Sequence, residues 1–389
     1  MSYIEGEVFT FEKEKKSTIA MSDEDINAKY KRGEIRIVTE QARYPVKSIK
    51  GMLDGEDYKL DPEYQRRKRW DNGRKSRLIE SFIMNVPLPP IFLYEYDYSK
   101  FEVMDGLQRL TSIYDFYSEN FPLEGLEYWK ELEGKTYSEL PREIQRGIDR
   151  RYISSIVLLE ETAKSKEEAE ELKQIVFERL NSGGEKLTPQ ETRNALYNGK
   201  FNQLCIKLSN NEKFRDMWDI PLERSKRSTS EVYRKMEDVE LVLRFFAYRF
   251  LDKFTGSIED FLDAYLKQAN KFPDETIGQL ETLFVDSIEA AYLIFGKDAF
   301  ISPTYDRKVT KPQKTVYDPL MQAIALNIEK KNIMISNSEK IKEERYDENE
   351  MYIDNDKNKR LFDGRKTQVT AVQERIKYFD NLLKKHSLG

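Results

Sequence analysis

Two kinds of hydrophobic spacing alternate along the first half of the chain. Short alternating or continuous apolar runs predict strands, whereas apolar residues three or four positions apart predict helices. The runs at 91–94 and 101–104 flank a polar turn and are expected to pair as a hairpin. The other predicted elements are strands at 44–49 and 153–159 and helices at 76–85, 107–118 and 166–180. This mixture predicts an α+β domain.

From about residue 200 onward the spacing is helical. No fixed-period repeat and no sustained heptad is visible, so we expect an all-helical domain. The predicted division is a polar N-terminal arm at 1–42, an α+β domain at 43–200 and a helical domain at 201–389. The helices predicted in the last of these span 201–218, 236–252, 257–271, 276–295, 318–331 and 366–385.

Composition narrows the class of protein. Hydrophobic residues make up 39% of the 389 residues and charged residues 35%, which is typical of a strongly solvated protein. No run of eighteen apolar residues is present to span a membrane, and the first residues lack the basic start and apolar stretch of a secretory signal. The single cysteine, Cys205, excludes an internal disulfide and fits a reducing compartment. We therefore expect a cytoplasmic protein with no membrane partner.

His386 is the only histidine. A Ser-His-Asp triad, a Cys-His pair or a histidine-based zinc site inside the fold is therefore excluded. Any catalysis would depend on carboxylates, arginines and lysines. The cation expected with them is Mg²⁺, which prefers oxygen ligands and phosphates.

Asp105-Gly106-Leu107-Gln108-Arg109 joins a predicted strand to a predicted helix. A helix that opens in this way directs unpaired backbone N–H groups at one spot, which attracts anions and phosphate in particular. Arg109, in the first turn, could add a bidentate phosphate contact. The alternative is structural: Asp105 and Gln108 have the spacing of a capping box, and Gly106 could simply relieve a tight turn. Both interpretations remain open from this stretch alone.

An arginine-rich segment at 64–78 precedes this turn. The net charge of −5 argues against a general attraction to nucleic acid, but this segment carries seven basic residues against one acidic residue. It is either a local site for a polyanion or a solvated charged face. Tyr64 and Trp70 are interleaved with the basic residues Arg66, Arg67, Lys68, Arg69, Arg74, Lys75 and Arg77.

Two further polar motifs lie at helix ends. The helix predicted at 166–180 runs through Arg179 to Asn181 and is followed by Gly183-Gly184, which permits close backbone approach. Thr188-Pro189-Gln190-Glu191 has the cap, the proline and the glutamate of a strong helix start. The helix that it begins carries Arg193 and Asn194 on its first turns.

Together these motifs resemble the N-terminal domain of GmrSD-type restriction endonucleases, over roughly Val46 to Phe201. The resemblance implies a ParB/sulfiredoxin-like fold, a small α+β unit. The segments that carry it are Gln65-Arg66 with Trp70; Leu78-Ile79-Glu80-Ser81 leading to Pro87-Leu88-Pro89-Pro90-Ile91; Asp105-Gly106-x-Gln108-Arg109-Leu110-Thr111; and Phe177 to Ala195 with Asn181-x-Gly183-Gly184 and Gln190-Glu191-x-Arg193-Asn194.

The resemblance implies nucleotide binding and hydrolysis at the Asp105–Arg109 turn, in bacterial defence against phage or foreign DNA. Asp105 would be the acidic residue and Mg²⁺ ligand, Gln108 would orient water or base, and Arg109 would hold phosphate. These roles suit phosphoryl hydrolysis, which depends mainly on positioning and charge neutralisation. The remaining residues expected to bind nucleotide or phosphate are Gln65, Arg66, Gly106, Arg179, Asn181, Gly183, Gly184, Arg193 and Asn194.

The chain departs from the family pattern in two ways. The usual motif has glutamine where this chain has Leu107, so hydrolysis could be slow or lost while binding survives, or Leu107 could face the core. Restriction enzymes of the family also carry a C-terminal nuclease domain with a histidine-based metal site. The second half of this chain has no histidine before His386, which excludes DNA cleavage by that route.

The leading hypothesis is therefore a nucleotide-binding, NTP-hydrolysing component of a prokaryotic defence system that acts on or senses foreign DNA. Its expected partners are an NTP with Mg²⁺, DNA, an effector or nuclease subunit and further copies of the chain. One alternative is a Mg²⁺-dependent nuclease that nicks DNA with Asp105 and either Glu178 or Glu191. Another is a non-enzymatic sensor subunit that binds nucleotide or DNA.

Overall fold

The computed structural model describes residues 3–11, 22–32, 39–59, 70–159, 165–181, 187–302, 311–345, 362 and 369–387. The chain divides into two compact units. Residues 16–187 form one, here called the α+β unit, and residues 1–15 with 188–389 form the other, here called the helical unit. The α+β unit is therefore an insertion in the sequence of the helical unit.

The α+β unit is built on a mixed sheet whose described strands have the order β1-β5-β3-β4-β2. Strands β1 and β5 pair antiparallel, as do β3 and β4, whereas β3 and β5, and β2 and β4, pair parallel. The elements are α1 (Asp23–Arg32), β1 (Thr39–Pro45), α2 (Ile49–Asp54), β2 (Tyr58–Lys59), α3 (Asn72–Met84), β3 (Ile91–Asp97), β4 (Lys100–Asp105), α4 (Leu107–Tyr117), α5 (Arg142–Asp149), β5 (Tyr152–Leu159) and α6 (Lys166–Asn181).

The hydrophobic spacing explains how these elements pack. In β3, Ile91 and Leu93 alternate with less buried neighbours and point into the core, as alternate positions of a strand must. In α4, Leu110, Ile113 and Phe116 recur at three-residue spacing and are fully buried on one face. The predicted α+β fold and the predicted hairpin are confirmed.

The strand predicted at 44–49 is wrong. Strand β1 ends at Pro45, and the 3-10 helix Val46–Ser48 leads directly into α2. Val46, Ile49 and Leu53 are the buried positions, and their separations of three and four residues are those of a helical face. The prediction had assigned the first two of them to a strand. Helix α5 lies between residues 118 and 153, where no helix or strand was predicted.

The predicted helices of the helical unit occur in the predicted order, but they begin and end at different residues. The helix predicted at 201–218 is interrupted, because Asn211 caps a second helix by accepting a hydrogen bond from the Phe214 N–H. The helices are α7 (Pro189–Leu196), α8 (Lys200–Leu208), α9 (Glu212–Met217), α10 (Glu231–Arg234), α11 (Glu237–Ala247), α12 (Ile258–Ala269), α13 (Asp274–Phe295), α14 (Lys314–Leu326), α15 (Lys331–Ser336), α16 (Ser338–Glu344) and α17 (Val369–Lys385). None of the described helices is both long enough and apolar enough to cross a membrane.

The first residues pack into the helical unit, whereas the sequence had suggested an arm. The Glu7 carboxylate makes a buried ion pair with Arg249, with 2.8 Å between Oε2 and Nη2. Phe9 is buried edge-on against Phe250, Phe261 and Tyr265. A buried charge pair and an aromatic anchor fix residues 3–11 on the helices. The boundary at the other end lies between Leu187 and Thr188, so α7 belongs to the helical unit.

Candidate functional site

Gly106 connects β4 to α4 in a conformation that requires glycine. Its φ is +96°, in the left-handed region. A Cβ atom on Gly106 would lie 2.4 Å from Ile91 Cγ2 and 2.9 Å from Ile91 Cβ. The turn therefore presses directly against β3.

The capping box suggested for Asp105 and Gln108 is not formed. Gly106 is the N-cap of α4, and among the described residues no side chain caps this helix. The Gln108 Oε1 atom instead accepts a hydrogen bond of 3.0 Å from the Trp70 backbone N–H. Asp105 turns toward Arg109, with 2.8 Å between Oδ2 and Nη2. The structural alternative was correct about the need for glycine but wrong about the cap.

Arg109 is largely buried and stabilises the turn through hydrogen bonds. Its guanidinium donates to the Pro89 and Pro90 carbonyl oxygens as well as to Asp105. Its side chain is 11% exposed, whereas that of Asp105 is 44% exposed. Burial lowers the pKa of Arg109, and the neighbouring Asp105 opposes that shift. The accessible charged group at the turn is therefore the Asp105 carboxylate.

A second helix begins beside this turn. Helix α3 packs on α4, and the Trp70 N–H, two residues before α3, donates a hydrogen bond to Gln108 in the first turn of α4. Further along, Lys75 Nζ lies 2.7 Å from Asp115 Oδ2. The two helices therefore run in the same direction with their N-termini side by side. Asp71 caps α3 by accepting a hydrogen bond from the Arg74 N–H.

Of the arginine-rich segment, the structure describes residues 70–78, and residues 64–69 lie outside the described residues. Arg74 and Arg77 are exposed on α3. Lys75 is largely buried in its ion pair with Asp115 and lies over the Phe121 ring. Within the described part of the segment, Lys75 is therefore structural, whereas Arg74 and Arg77 lie on the surface.

Leu107 is 8% exposed and belongs to the core of the α+β unit. A glutamine side chain at this position would have to be buried or displace the core. Leu107 therefore serves packing, which the sequence had left open.

Glu80 is a structural carboxylate that sequence reasoning passed over. It is 2% exposed and accepts hydrogen bonds from the backbone N–H groups of Glu127, Tyr128 and Trp129, at 2.7–3.2 Å. The sequence does indicate an unusual role for this residue, since Glu80 interrupts the apolar face of α3. A buried charge needs such partners, and this one fixes the loop that follows α4.

Helix α6 belongs to the same unit as the turn and packs on β4. Lys173 on α6 makes a 2.7 Å ion pair with Glu102, three residues before Asp105. Arg179 is exposed in the last turn, and Asn181 is the final residue of the helix. Four other predicted site residues lie outside the described residues: Gln65, Arg66, Gly183 and Gly184.

Arg193 and Asn194 belong to the helical unit, whereas the turn belongs to the α+β unit. Arg193 is 1% exposed, with Nε 2.6 Å from Asp263 Oδ1 and Nη1 3.0 Å from Glu240 Oε2. Burial raises the pKa of Asp263 despite Arg193, whereas Lys314 and Arg193 outweigh burial and lower the pKa of Glu240. Asn194 is also buried and accepts a hydrogen bond from Gln190. This geometry favours a structural role for both residues over phosphate binding.

Both glutamates suggested for a nicking centre have other partners. Glu191 closes the capping box of Thr188 in the helical unit, and Glu178 is exposed on α6, where it accepts a hydrogen bond from Gln174. Within the described residues, no group of three or more histidine, cysteine, aspartate or glutamate side chains could hold a metal ion. Asp105 could supply one oxygen to Mg²⁺, which suits a cation whose other ligands are phosphates and water.

One comparison with known proteins gives a match. Residues 49–198 match the family model described as GmrSD restriction endonuclease, N-terminal domain. The match spans the turn, both neighbouring helices and helix α7. No curated protein and no solved structure matches the chain.

Proposed function

Because residues 49–198 belong to the GmrSD restriction endonuclease N-terminal domain family, which implies a restriction-type defence role, we propose that this chain binds and hydrolyses an NTP as part of such a system. Foreign DNA is the target that it acts on or senses. The proposed nucleotide site is the turn between β4 and α4.

The observation that carries this proposal is the glycine cap of α4. Gly106 has no side chain that could cap α4, so an anion bound at this end would meet the first backbone N–H groups and the positive end of the helix dipole. The start of α3 lies beside it, but the Asp71 carboxylate caps that helix by accepting a hydrogen bond from the Arg74 N–H, so the glycine-capped α4 is the better anion site of the two. A triphosphate offers both the acceptor oxygens and the negative charge that this arrangement favours.

Three side chains would act on the bound nucleotide in different ways. Asp105, half-exposed at the end of β4, would hold the Mg²⁺ that accompanies the triphosphate and neutralises its charge. Gln108, positioned by the Trp70 N–H, would orient water toward the terminal phosphate. Arg109 would be a positioning residue, since it ties α4 to the Pro89 and Pro90 carbonyls and to Asp105.

The test is phosphate release from each of the four common NTPs with Mg²⁺, compared between the unmodified chain and Asp105→Asn. The substitution keeps the size of the side chain and removes the charge needed for Mg²⁺. We expect turnover to fall by at least about a hundredfold, in line with the loss of a charge-stabilising group in phosphoryl transfer. The matched control is Asp97→Asn, at the far end of the same hairpin, where the carboxylate is 62% exposed and lies 3.7 Å from Lys100.

Each outcome separates the hypotheses. Turnover lost in Asp105→Asn and retained in Asp97→Asn supports the proposal. A thermal shift with NTP but no turnover would leave a nucleotide sensor and refute hydrolysis. Absence of any thermal shift with NTP and Mg²⁺ would refute the nucleotide site altogether. Nicking of supercoiled plasmid without NTP would support the nuclease instead.

A partner would carry out DNA cleavage in this proposal. The chain has a single histidine, His386, so it lacks the means for a histidine-based nuclease centre within the helical unit. Within the described residues no acidic cluster replaces such a centre. The partner would therefore be a nuclease subunit that responds to the nucleotide state of this chain.

A further inference from the structure

The helical unit carries a basic surface segment outside the proposed nucleotide site. Residues 222–235, here called the basic segment, contain five basic side chains and two acidic ones, in a chain whose net charge is −5. The segment consists of the 3-10 helix Arg224–Thr229, Ser230 and helix α10, and the two helices pack against each other. It concentrates positive charge on an otherwise acidic protein.

The local fold turns the basic side chains outward. Val232 and Tyr233 pack against the core of the helical unit and fix α10 from below. Arg234 and Lys235 then emerge on the exposed side, and Arg224 and Lys226 are exposed on the neighbouring 3-10 helix. The apolar contacts therefore fix the orientation of the basic surface.

Helix α7 anchors the end of this segment. The Thr188 hydroxyl, which caps α7, donates a 3.1 Å hydrogen bond to the Lys235 carbonyl oxygen. The Asn194 amide nitrogen lies 2.8 Å from the sulfur of Met236, which is buried with a φ of +56°. Thr188 and Asn194 therefore hold residues 235 and 236 in place. This contact gives Asn194 a structural role that does not involve phosphate.

The two acidic side chains leave the positive charge in excess. Glu223 pairs with Lys226 and Glu231 with Lys235, each at 2.6 Å. Hydrogen bonding to Lys235 lowers the pKa of Glu231, with smaller contributions from Arg234 and Lys311. Lys311, also exposed, thus extends the basic surface beyond the segment itself. Five basic side chains against two acidic ones give the segment a net positive charge.

We propose that the basic segment binds the phosphate backbone of double-stranded DNA. Exposed arginine and lysine side chains on short, anchored helices are suited to sequence-independent phosphate contacts. This inference rests on the proposed function only in its choice of DNA as target; the site is separate from the nucleotide turn. It gives the helical unit the task of holding DNA while the α+β unit binds nucleotide.

The experiment measures binding of the full chain to a fluorescent 30-base-pair duplex by anisotropy, over a series of salt concentrations and without NTP. The test variant replaces Arg224, Lys226 and Arg234 by glutamine. The control variant likewise replaces Lys200, Lys207 and Lys297 by glutamine. These lysines are 57–68% exposed on the same unit and are paired with carboxylates. Both variants lose three positive charges, so an effect of net charge alone would be the same in each.

We expect the test variant to bind DNA on the order of tenfold more weakly and the control to bind nearly as the unmodified chain. The slope of log affinity against log salt should fall by about 0.9 for each phosphate that the variant no longer neutralises. Equal weakening in both variants would overturn the proposal, as would binding to anionic lipid vesicles without binding to the duplex. NTP hydrolysis measured on the same preparations separates the two proposals, since the test variant should hydrolyse NTP normally.

Discussion

Helices α4 and α7 both begin at a motif of the matched family, yet the two starts are built differently. Helix α4 opens on Gly106 with no side-chain cap, beside an aspartate that is 44% exposed. Helix α7 opens on Thr188 with a complete capping box, and its arginine, Arg193, is buried against two carboxylates. In α7 a threonine and a glutamate of the chain satisfy the first polar groups, whereas the glycine at the start of α4 has no side chain that could do so. For this reason we expect the ligand at α4 and not at α7.

The largest effect is expected at Arg193. Arg193→Met should lower the free energy of unfolding by about 4 kcal/mol, because it leaves Glu240 and Asp263 without their shared cation in a largely buried position. Urea unfolding measures this. Nucleotide affinity should not change in the folded fraction, and an intact fold with lost nucleotide binding would restore Arg193 as a phosphate ligand.

Two controls sharpen that result. Arg146→Met, at a side chain that is 59% exposed and paired with Glu143, should change stability by less than about 0.5 kcal/mol. Adding Glu240→Gln and Asp263→Asn to Arg193→Met should recover part of the loss, since no unpaired charge is then left buried.

The second-largest loss of stability is expected at Gly106. Gly106→Ala should cost about 3 kcal/mol, from the left-handed backbone and the collision with Ile91 together. Gly125→Ala is the matched control, because its φ is +64° but no atom lies within 4 Å of the added Cβ. It should cost only about 1 kcal/mol. Equal losses in the two variants, measured by urea unfolding, would show that the contact with β3 does not determine the turn.

Leu107 should have a smaller effect. Leu107→Gln installs the usual residue of the family but places an amide at a position that is 8% exposed, so we expect a loss of about 2 kcal/mol. Leu107→Met keeps the volume and should cost less than about 1 kcal/mol. If Leu107→Gln instead raised NTP turnover without loss of stability, this position would belong to the site and not to the core.

Local patterns in the sequence were sufficient for several of these features. The hairpin, α4 and the capping box of α7 depend on residues within a few positions of one another, and the structure confirms each. The same reasoning failed at 44–49, where apolar residues three positions apart were assigned to a strand. Short apolar runs leave helix and strand ambiguous, and the wider spacing to Leu53 resolves them.

The roles of the polar residues could not be predicted in the same way, because their partners are distant in sequence. Arg193 meets Glu240 and Asp263, which are 47 and 70 positions away. Arg109 meets the carbonyls of Pro89 and Pro90, and Glu7 meets Arg249 across 242 positions. A sequence motif specifies which side chains are present, but the fold decides whether their charges are already satisfied. The nucleotide site at the α4 turn remains a prediction, because a motif alone does not show whether its polar groups are already satisfied.

The smallest effects compare the two helix starts directly. Thr188→Ala removes the cap of α7 and its hydrogen bond to Lys235, and should cost about 1 kcal/mol in urea unfolding. Asp105→Asn weakens only a partly exposed ion pair and should cost less than about 0.5 kcal/mol, while NTP turnover is lost. Thr188→Ala should leave turnover intact. The opposite result, a stable Thr188→Ala chain without turnover and an Asp105→Asn chain that unfolds, would exchange the roles of the two starts and place the ligand at α7.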